Sequence, residues 1–306
     1  MKTIALLAAF VLHATGLWGL SDGVARQHLT KQVFDHSIVE NNHAEPVASI
    51  NHISFPVRQR TTPLDLDARN ILAVDAATMM PLYAKNPGSK VPIASITKTV
   101  TVLTILQHHS LDEIVTIKSL PNYTPEDDTI GLIVGDTLTV RQLIQASLIQ
   151  SANDAADALA IWDAGSIPKF TMRMNAALAD WGISDSHFVS PSGLQDTDNY
   201  ANASDLARIG KLILTNSFVA ETVKTGNISI TSGQNHTYQL NNTNSLLENG
   251  LLYGIKTGYT LASGECLLGI TTINGHSVIT VILGSNDRFG DTVRLINWIG
   301  SSYQWL

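Results

Sequence analysis

The chain has 306 residues, of which 44% are hydrophobic and 15% charged, and its formal net charge is −7. That is enough apolar material for a sizeable core, so general disorder is excluded. The acidic balance argues against a nucleic-acid partner, which needs a basic face to neutralise phosphates.

The N-terminus reads as an address. Lys2 precedes an uncharged apolar run from Ile4 to Leu12, followed by a weaker stretch to Leu20. A short positive head and a short apolar region over 1–20 describe a secretory signal. An uncleaved membrane anchor is the other reading, because no clean Ala-x-Ala site follows. Either one places the rest of the chain outside the cytoplasm. Residues 21–65 show no sustained period and read as a flexible linker. His28, His36, His43 and His52 in that stretch are spaced too widely for a helical metal pair. Neither a His-Glu-x-x-His nor a Cys/His pattern occurs, so no metal and no cofactor is expected.

The folded body is expected over 66–306. Asn70–Val74 reads as a strand and Pro81–Ala84 as its return, joined through Asp75–Met80. Pro92-Ile-Ala-Ser95 leads into a helix to about His109, apolar nearly all round and therefore central. Thr139-Val-Arg-Gln142 matches a capping box, with a helix to about Ile149. Ala155–Ala164 and Phe170–Trp181 follow as helices, separated by Gly165 and Pro168. Ser204-Asp205 starts another, with Leu206, Ile209 and Ile213 on one face.

The period then changes. Ile228–Ile230, Tyr238–Leu240 and Leu252–Lys256 read as strands, and Asn274-Gly275 joins Glu265–Ile273 to Ser277–Leu283 as a hairpin. Cys266, the lone cysteine, lies in that apolar run; it excludes an internal disulfide and reads as a small core residue. Thr292–Trp305 closes the chain as a helix. Strands at both ends with helices between predict an α/β fold in the loose sense (α+β). An antiparallel sheet is covered by helices, with a helical subdomain inserted.

Three short motifs carry chemistry. Ser95-Ile-Thr-Lys98 puts a hydroxyl and an amine at i and i+3, on one helix face. Serine needs an adjacent base to act as a nucleophile, and a desolvated lysine supplies one. The second Ser-x-x-Lys, Ser166-Ile-Pro-Lys169, is set aside because it sits in a Gly/Pro break. Ser151-Ala-Asn153 lies between two helices, where Ser can relay a proton and Asn can hold an amide at both ends; alone, a helix cap is its ordinary reading. Lys256-Thr-Gly258 ends an apolar strand and offers a cation, a hydroxyl and a backbone free of side chain. The other copy, Lys224-Thr-Gly226, follows a helix end, and the later copy is preferred.

Ser-x-x-Lys, a Ser-x-Asn type of triplet and Lys-Thr-Gly, in this order, are the signature of β-lactamases and penicillin-binding proteins. Over about residues 66–300 the chain resembles the low-molecular-mass penicillin-binding proteins, the serine-type D-alanyl-D-alanine carboxypeptidase family. The likeness extends to Pro92–Lys98, Gln150–Ala155, Gly254–Thr260 and Asp287-Arg-Phe289. It implies a β-lactamase/DD-peptidase-like fold, peptidoglycan stem peptides as substrate and β-lactams as inhibitors. It makes Ser95 the acylated nucleophile, Lys98 its base and Ser151 the proton donor to the departing D-alanine. Asn153 would position the penultimate peptide unit, Lys256 would hold Ser151, and Thr257 and Arg288 would bind the terminal carboxylate. Gly258 would leave room for the substrate backbone, and the Ser95 and Tyr259 N–H groups would form the oxyanion hole.

The chain departs from the pattern at Ala152, where many relatives carry Gly, and at Tyr259, where some carry His. It also ends at Leu306, without the C-terminal β-domain and amphipathic anchoring helix of many carboxypeptidases; attachment through the N-terminal segment would replace them. A DD-endopeptidase shares every motif, and Arg288 favours the carboxypeptidase. A β-lactamase needs a water-activating carboxylate, and the surroundings of Glu126 do not resemble that loop. A binding or sensing protein without turnover has no use for an activated nucleophile, which Ser95, Lys98 and Lys256 together imply.

Overall fold

The computed structural model describes residues 54–194, 198–248 and 250–306. The expected signal or anchor, most of the linker, and His28, His36, His43 and His52 lie outside the described residues. The chain opens with β1 (Pro56–Arg58), then a hairpin of β2 (Asn70–Asp75) and β3 (Pro81–Lys85). A short β4 (Val91–Pro92) enters a 3-10 turn, Ala94–Thr97, that runs straight into α1 (Lys98–Leu106). Next come β5 (Ile114–Thr116), β6 (Thr137–Thr139), α2 (Val140–Ile149), α3 (Asn153–Ala164) and α4 (Ile167–Asp180). They are followed by β7 (Tyr200–Ala201), α5 (Ala203–Thr215), α6 (Ser217–Thr222) and a hairpin of β8 (Asn227–Thr231) and β9 (Thr237–Asn241). The chain closes with β10 (Ile255–Thr260), β11 (Gly264–Ile273), β12 (His276–Ser285), α7 (Arg288–Ser302) and β13 (Tyr303–Trp305).

The central sheet is antiparallel with the order β10-β11-β12-β2-β3. Alternate residues of a strand face opposite sides, and here both sides are covered. Ile71, Ala73, Leu267 and Ile282 pack with Leu295 and Trp298 of α7. Leu72, Val74, Leu268 and Ile279 join the larger core formed with α1, α2, α3 and α5. The helices between β3 and β10 form the inserted helical region, with α1 buried at its centre.

Local chemistry sets several boundaries as expected. Thr139 and Gln142 form a reciprocal capping box on α2. Asn274 and Gly275 carry positive φ of 52° and 83°, which a two-residue hairpin requires. Cys266 is fully buried in β11, and burial pushes its thiol up to about 11.

Three boundaries differ. The strand expected over Leu252–Lys256 starts at Ile255, because Gly254 has φ 43° and breaks the extended run. The Lys-Thr-Gly motif therefore lies inside β10 and does not end a strand. The closing helix runs Arg288–Ser302, capped by Asp287, and the last residues pair as β13 with β1 in the register Pro56↔Trp305. Residues 56–58, read as linker, thus belong to the folded body.

Asp291 of α7 ties this N-terminal approach to the sheet. Its fully buried carboxylate accepts the N–H groups of Asp67 (3.1 Å) and Ala68 (2.8 Å), Ser285 Oγ (2.6 Å) and Arg294 Nη2 (2.7 Å). Burial alone would raise its pKa, but these donors hold the carboxyl below the usual range. A depressed carboxyl stabilises the fold above its unfolded pKa of about 3.9 and loses that contribution as pH falls. Asp291→Ala is expected to cost about 3 kcal/mol at pH 7, from the orphaned donors. Urea unfolding from pH 7 to pH 3 should show a shallower loss of stability with acid for the variant.

Candidate active site

The 3-10 turn continuing into α1 places Ser95 and Lys98 one turn apart on one side of the chain. Lys98 Nζ lies 2.7 Å from Ser95 Oγ, 2.6 Å from Asn153 Oδ1 and 2.8 Å from the Ser192 carbonyl. Lys98 is fully buried, while Ser95 is partly exposed. Burial pushes the Lys98 pKa down to about 7, against the pull of Asp157, Asp128 and Asp154. An amine with that pKa can take a proton from the Ser95 hydroxyl at neutral pH.

β10 forms one edge of the sheet and runs beside the 3-10 turn. A Cβ on Gly258 would sit 2.7 Å from the Ile93 carbonyl oxygen and 3.2 Å from the Ser95 nitrogen. Only glycine lets the strand come this close, and the approach sets the Ser95 N–H beside the strand. Lys256, also fully enclosed, has its pKa pushed well down by burial and then by the neighbouring Lys98 charge. The Thr257 hydroxyl is 2.6 Å from that of Thr243.

Ser151 joins α2 to α3 with φ 65°, and Asn153 is the first residue of α3. Asn153 is thereby brought to Lys98, and Ser151 stands two residues before it at the α2–α3 joint. Ser151 is buried, and its hydroxyl has no hydrogen-bond partner among the described residues. Lys256 Nζ donates to the Thr257 carbonyl at 3.0 Å and reaches Thr257 Oγ1 at 3.5 Å, so the expected Lys256–Ser151 bond is absent among the described residues. The oxygen of Asn153 is occupied by Lys98, which leaves the amide nitrogen for a ligand.

Arg288 opens α7 beside the motif, yet its Nη1 donates to the Gly258 carbonyl at 3.0 Å, its backbone N–H to Glu265 Oε2 at 2.9 Å, and its Nε is buried without a partner. It braces β10. Tyr259 extends from the strand with its side chain exposed. The copies set aside are elsewhere: Lys169 is exposed on α4, and Lys224 pairs with Glu221 at 3.0 Å. Glu126 is also exposed.

A family model of D-alanyl-D-alanine carboxypeptidases matches residues 57–287. The chain belongs to the D-alanyl-D-alanine carboxypeptidase family. It is 27% identical over 259 residues to the D-alanyl-D-alanine carboxypeptidase DacF of Bacillus subtilis, covering 80% of this chain and 65% of that protein. It is 31% identical over 242 residues to a D-alanyl-D-alanine endopeptidase of Pseudomonas aeruginosa, covering 77% of this chain and 78% of that protein. Among solved structures it resembles penicillin-binding protein D2 from Listeria monocytogenes in its ampicillin-bound form. That match has a TM-score of 0.67 and 30% identity, covering 78% of this chain and 100% of that one. The mixed fold with an antiparallel sheet and helices matches that of this penicillin-binding protein.

Within this carboxypeptidase-family site, sequence reasoning missed the segment 190–194. Its Ser192 carbonyl takes Lys98, and Thr101 Oγ1 donates to the Pro191 carbonyl at 2.7 Å. The signal was a Ser-Pro-Ser-Gly cluster between helices, a turn by composition alone. It also missed Asp154, whose carboxylate accepts the N–H groups of Ile130, Gly131 and Leu132 and so pins the loop ahead of the second motif. Gly193 has φ 81°, and a Cβ there would lie 2.1 Å from the Ala94 carbonyl oxygen. Gly193→Ala is expected to cost about 2 kcal/mol or more, because strain and clash fall together. Thermal unfolding beside wild type checks this; an unchanged Tm contradicts it.

Proposed function

We propose that the protein is an extracytoplasmic serine DD-carboxypeptidase that removes the terminal D-alanine from peptidoglycan stem peptides. The observation that carries this reading is the buried Lys98 amine, 2.7 Å from the Ser95 hydroxyl and held by Asn153 and Ser192. In the proposed cycle Ser95 Oγ attacks the carbonyl of the D-alanyl-D-alanine bond while its proton passes to Lys98 Nζ. The tetrahedral oxyanion is met by the Ser95 and Tyr259 N–H groups. Ser151, the hydroxyl left without a partner, takes the proton from Lys98 Nζ as it hands its own to the departing D-alanine nitrogen, so that the amine is neutral again when the C–N bond breaks. Water then hydrolyses the ester on Ser95 and regenerates the hydroxyl.

Asn153 Nδ2 and the edge of β10 suit a peptide backbone, and Thr257 suits the terminal carboxylate. Lys256 stands in the same strand with its amine on the Thr257 carbonyl, and Arg288 fixes the Gly258 carbonyl through Nη1 while Nη2 would serve the carboxylate. A β-lactam presents the same acylating carbonyl and would capture Ser95, as the ampicillin-bound Listeria relative supports. The substrate lies outside the cytoplasm. Residues 1–20 would deliver the chain there as a signal or anchor, with 21–53 as a tether and the catalytic domain beyond it.

A DD-endopeptidase on the same site is the second reading. It is favoured by the Pseudomonas relative and by Arg288 spending a donor on Gly258 instead of standing free for a carboxylate. Release of D-alanine from a linear pentapeptide, compared with cleavage of a cross-linked dimer, separates the two.

Ser95→Ala is expected to abolish both the penicillin adduct seen by mass spectrometry and D-alanine release. Any retained adduct at wild-type level removes Ser95 from the mechanism. Acylation needs the neutral Lys98 amine, so its rate should fall as pH drops through about 7. A rate flat from pH 8 to pH 5 would contradict Lys98 as the base.

A further inference from the structure

Asp157 is a buried acid with no part in the motifs. It stands one helical turn after Asn153 on α3, so the two side chains share a face. Tyr123 donates its hydroxyl to Asp157 Oδ2 at 2.7 Å, while Oδ1 is buried without a partner. Together with Tyr123, Ser190 and Ser192 it lines a cavity of about 230 Å³. Both neighbours it shares with the reactive amine are already bonded to it, since Asn153 Oδ1 and the Ser192 carbonyl each accept from Lys98.

From this geometry we propose that Asp157 is a positioning residue whose buried carboxylate sets how readily Lys98 holds the proton taken from Ser95. The inference rests on the reading of Lys98 as the base. The groups facing Lys98 divide by element. Asp154 and Asp157 come from α3, Asp128 from the loop before β6, and Lys256 from β10. Asp154 is committed to the 130–132 backbone, and Asp128 is exposed, where solvent screens its charge. Asp157 is buried, and its carboxylate meets the Tyr123 and Ser192 hydroxyls instead of a row of backbone N–H groups. Its charge stands first among those drawing on Lys98. Burial raises Asp157 to about 6, against the pull of the Tyr123 hydroxyl, of Lys98 and of the Ser192 hydroxyl. Acid and amine therefore titrate as a coupled pair over the same pH range.

The sign follows from charge. An ionised Asp157 favours the ammonium form of Lys98. Replacing it by a neutral isostere lowers the amine pKa, and the acid limb of acylation moves to lower pH. The weaker base also lowers the plateau rate by a few fold. The test is the second-order rate of Ser95 acylation by a chromogenic cephalosporin, from pH 5 to pH 9, in the full chain. In Asp157→Asn the acid midpoint should fall by roughly one pH unit. Tyr123→Phe, which removes a donor favouring the ionised carboxylate, should shift it the same way by less, and it covers the case in which Asp157→Asn does not fold. A role confined to packing would lower the rate equally at every pH, and an unmoved or raised midpoint in both variants overturns the proposal. If the wild-type chain itself is not acylated, the functional reading fails first, which distinguishes the two failures.

Discussion

The structure depends on a lysine taken out of water. Lys98 is enclosed on every side, and its nitrogen meets Ser95, Asn153 and Ser192, which come from three separate stretches of chain. An unpaired ammonium in such a place costs several kcal/mol even after relaxation. Two outcomes relieve that cost: loss of the proton, or an acid nearby. The protein uses both in part. Burial brings the amine toward neutrality at physiological pH, while three aspartates keep it from falling further. Under the proposed function, a base with a much lower pKa would be neutral always and too weak to take the Ser95 proton, so that reading needs this balance.

Holding the three stretches together needs backbone that most residues avoid. Ala94 and Ser151 both adopt the left-handed region, with φ of 50° and 65°. Each such conformation costs of order 1–3 kcal/mol and persists only where neighbours over-determine it. Those neighbours are identifiable. Ala152 N–H bonds to the Ala146 carbonyl at 3.1 Å and Asn153 N–H to the Asp128 carbonyl at 2.7 Å, which locks the α2–α3 joint around Ser151. Gly193 presses on the Ala94 carbonyl from one side and Gly258 approaches Ile93 and Ser95 from the other. Ala94 is thus held by the close approach of two glycines, immediately before Ser95.

Much of this was legible in the sequence because the relevant signals are local. Thr139 and Gln142 announce a capped helix, Asn274-Gly275 a hairpin, and Ser95 and Lys98 a shared face, each within a few residues. Strand-like runs at both ends of the chain with helices between gave the covered sheet. What stayed hidden were long-range choices. That the Ser192 carbonyl would receive Lys98, some ninety residues away, has no local signature. Nor does the pairing of β1 with β13, which joins the first described residues to the last. The misplacement of Lys-Thr-Gly at a strand end has a simple cause. Apolar pattern stops at Ile255, but the strand continues because its next residues pair in register with Glu265–Leu268 of β11. Arg288 lies beside the motif, and its bond to a main-chain carbonyl could not be read from residue type.

The free edge of β10 joins the chemistry to recognition. An unpaired edge is a liability in most sheets, since any extended chain can add to it. Here the exposed part is short, carries the exposed Tyr259, and is overhung by the 93–95 turn. A peptide entering as an added strand would take its hydrogen bonds from backbone that is already rigid. That rigidity has a named source: Arg288 from α7 holds the Gly258 carbonyl, and β11 holds the other edge of the same strand. Donors fixed before the substrate arrives lose no orientation energy when charge develops on the carbonyl oxygen. The same bracing therefore holds Gly258 close to Ile93 and the Ser95 nitrogen. It also explains why a guanidinium suited to carboxylates is committed in part to the main chain.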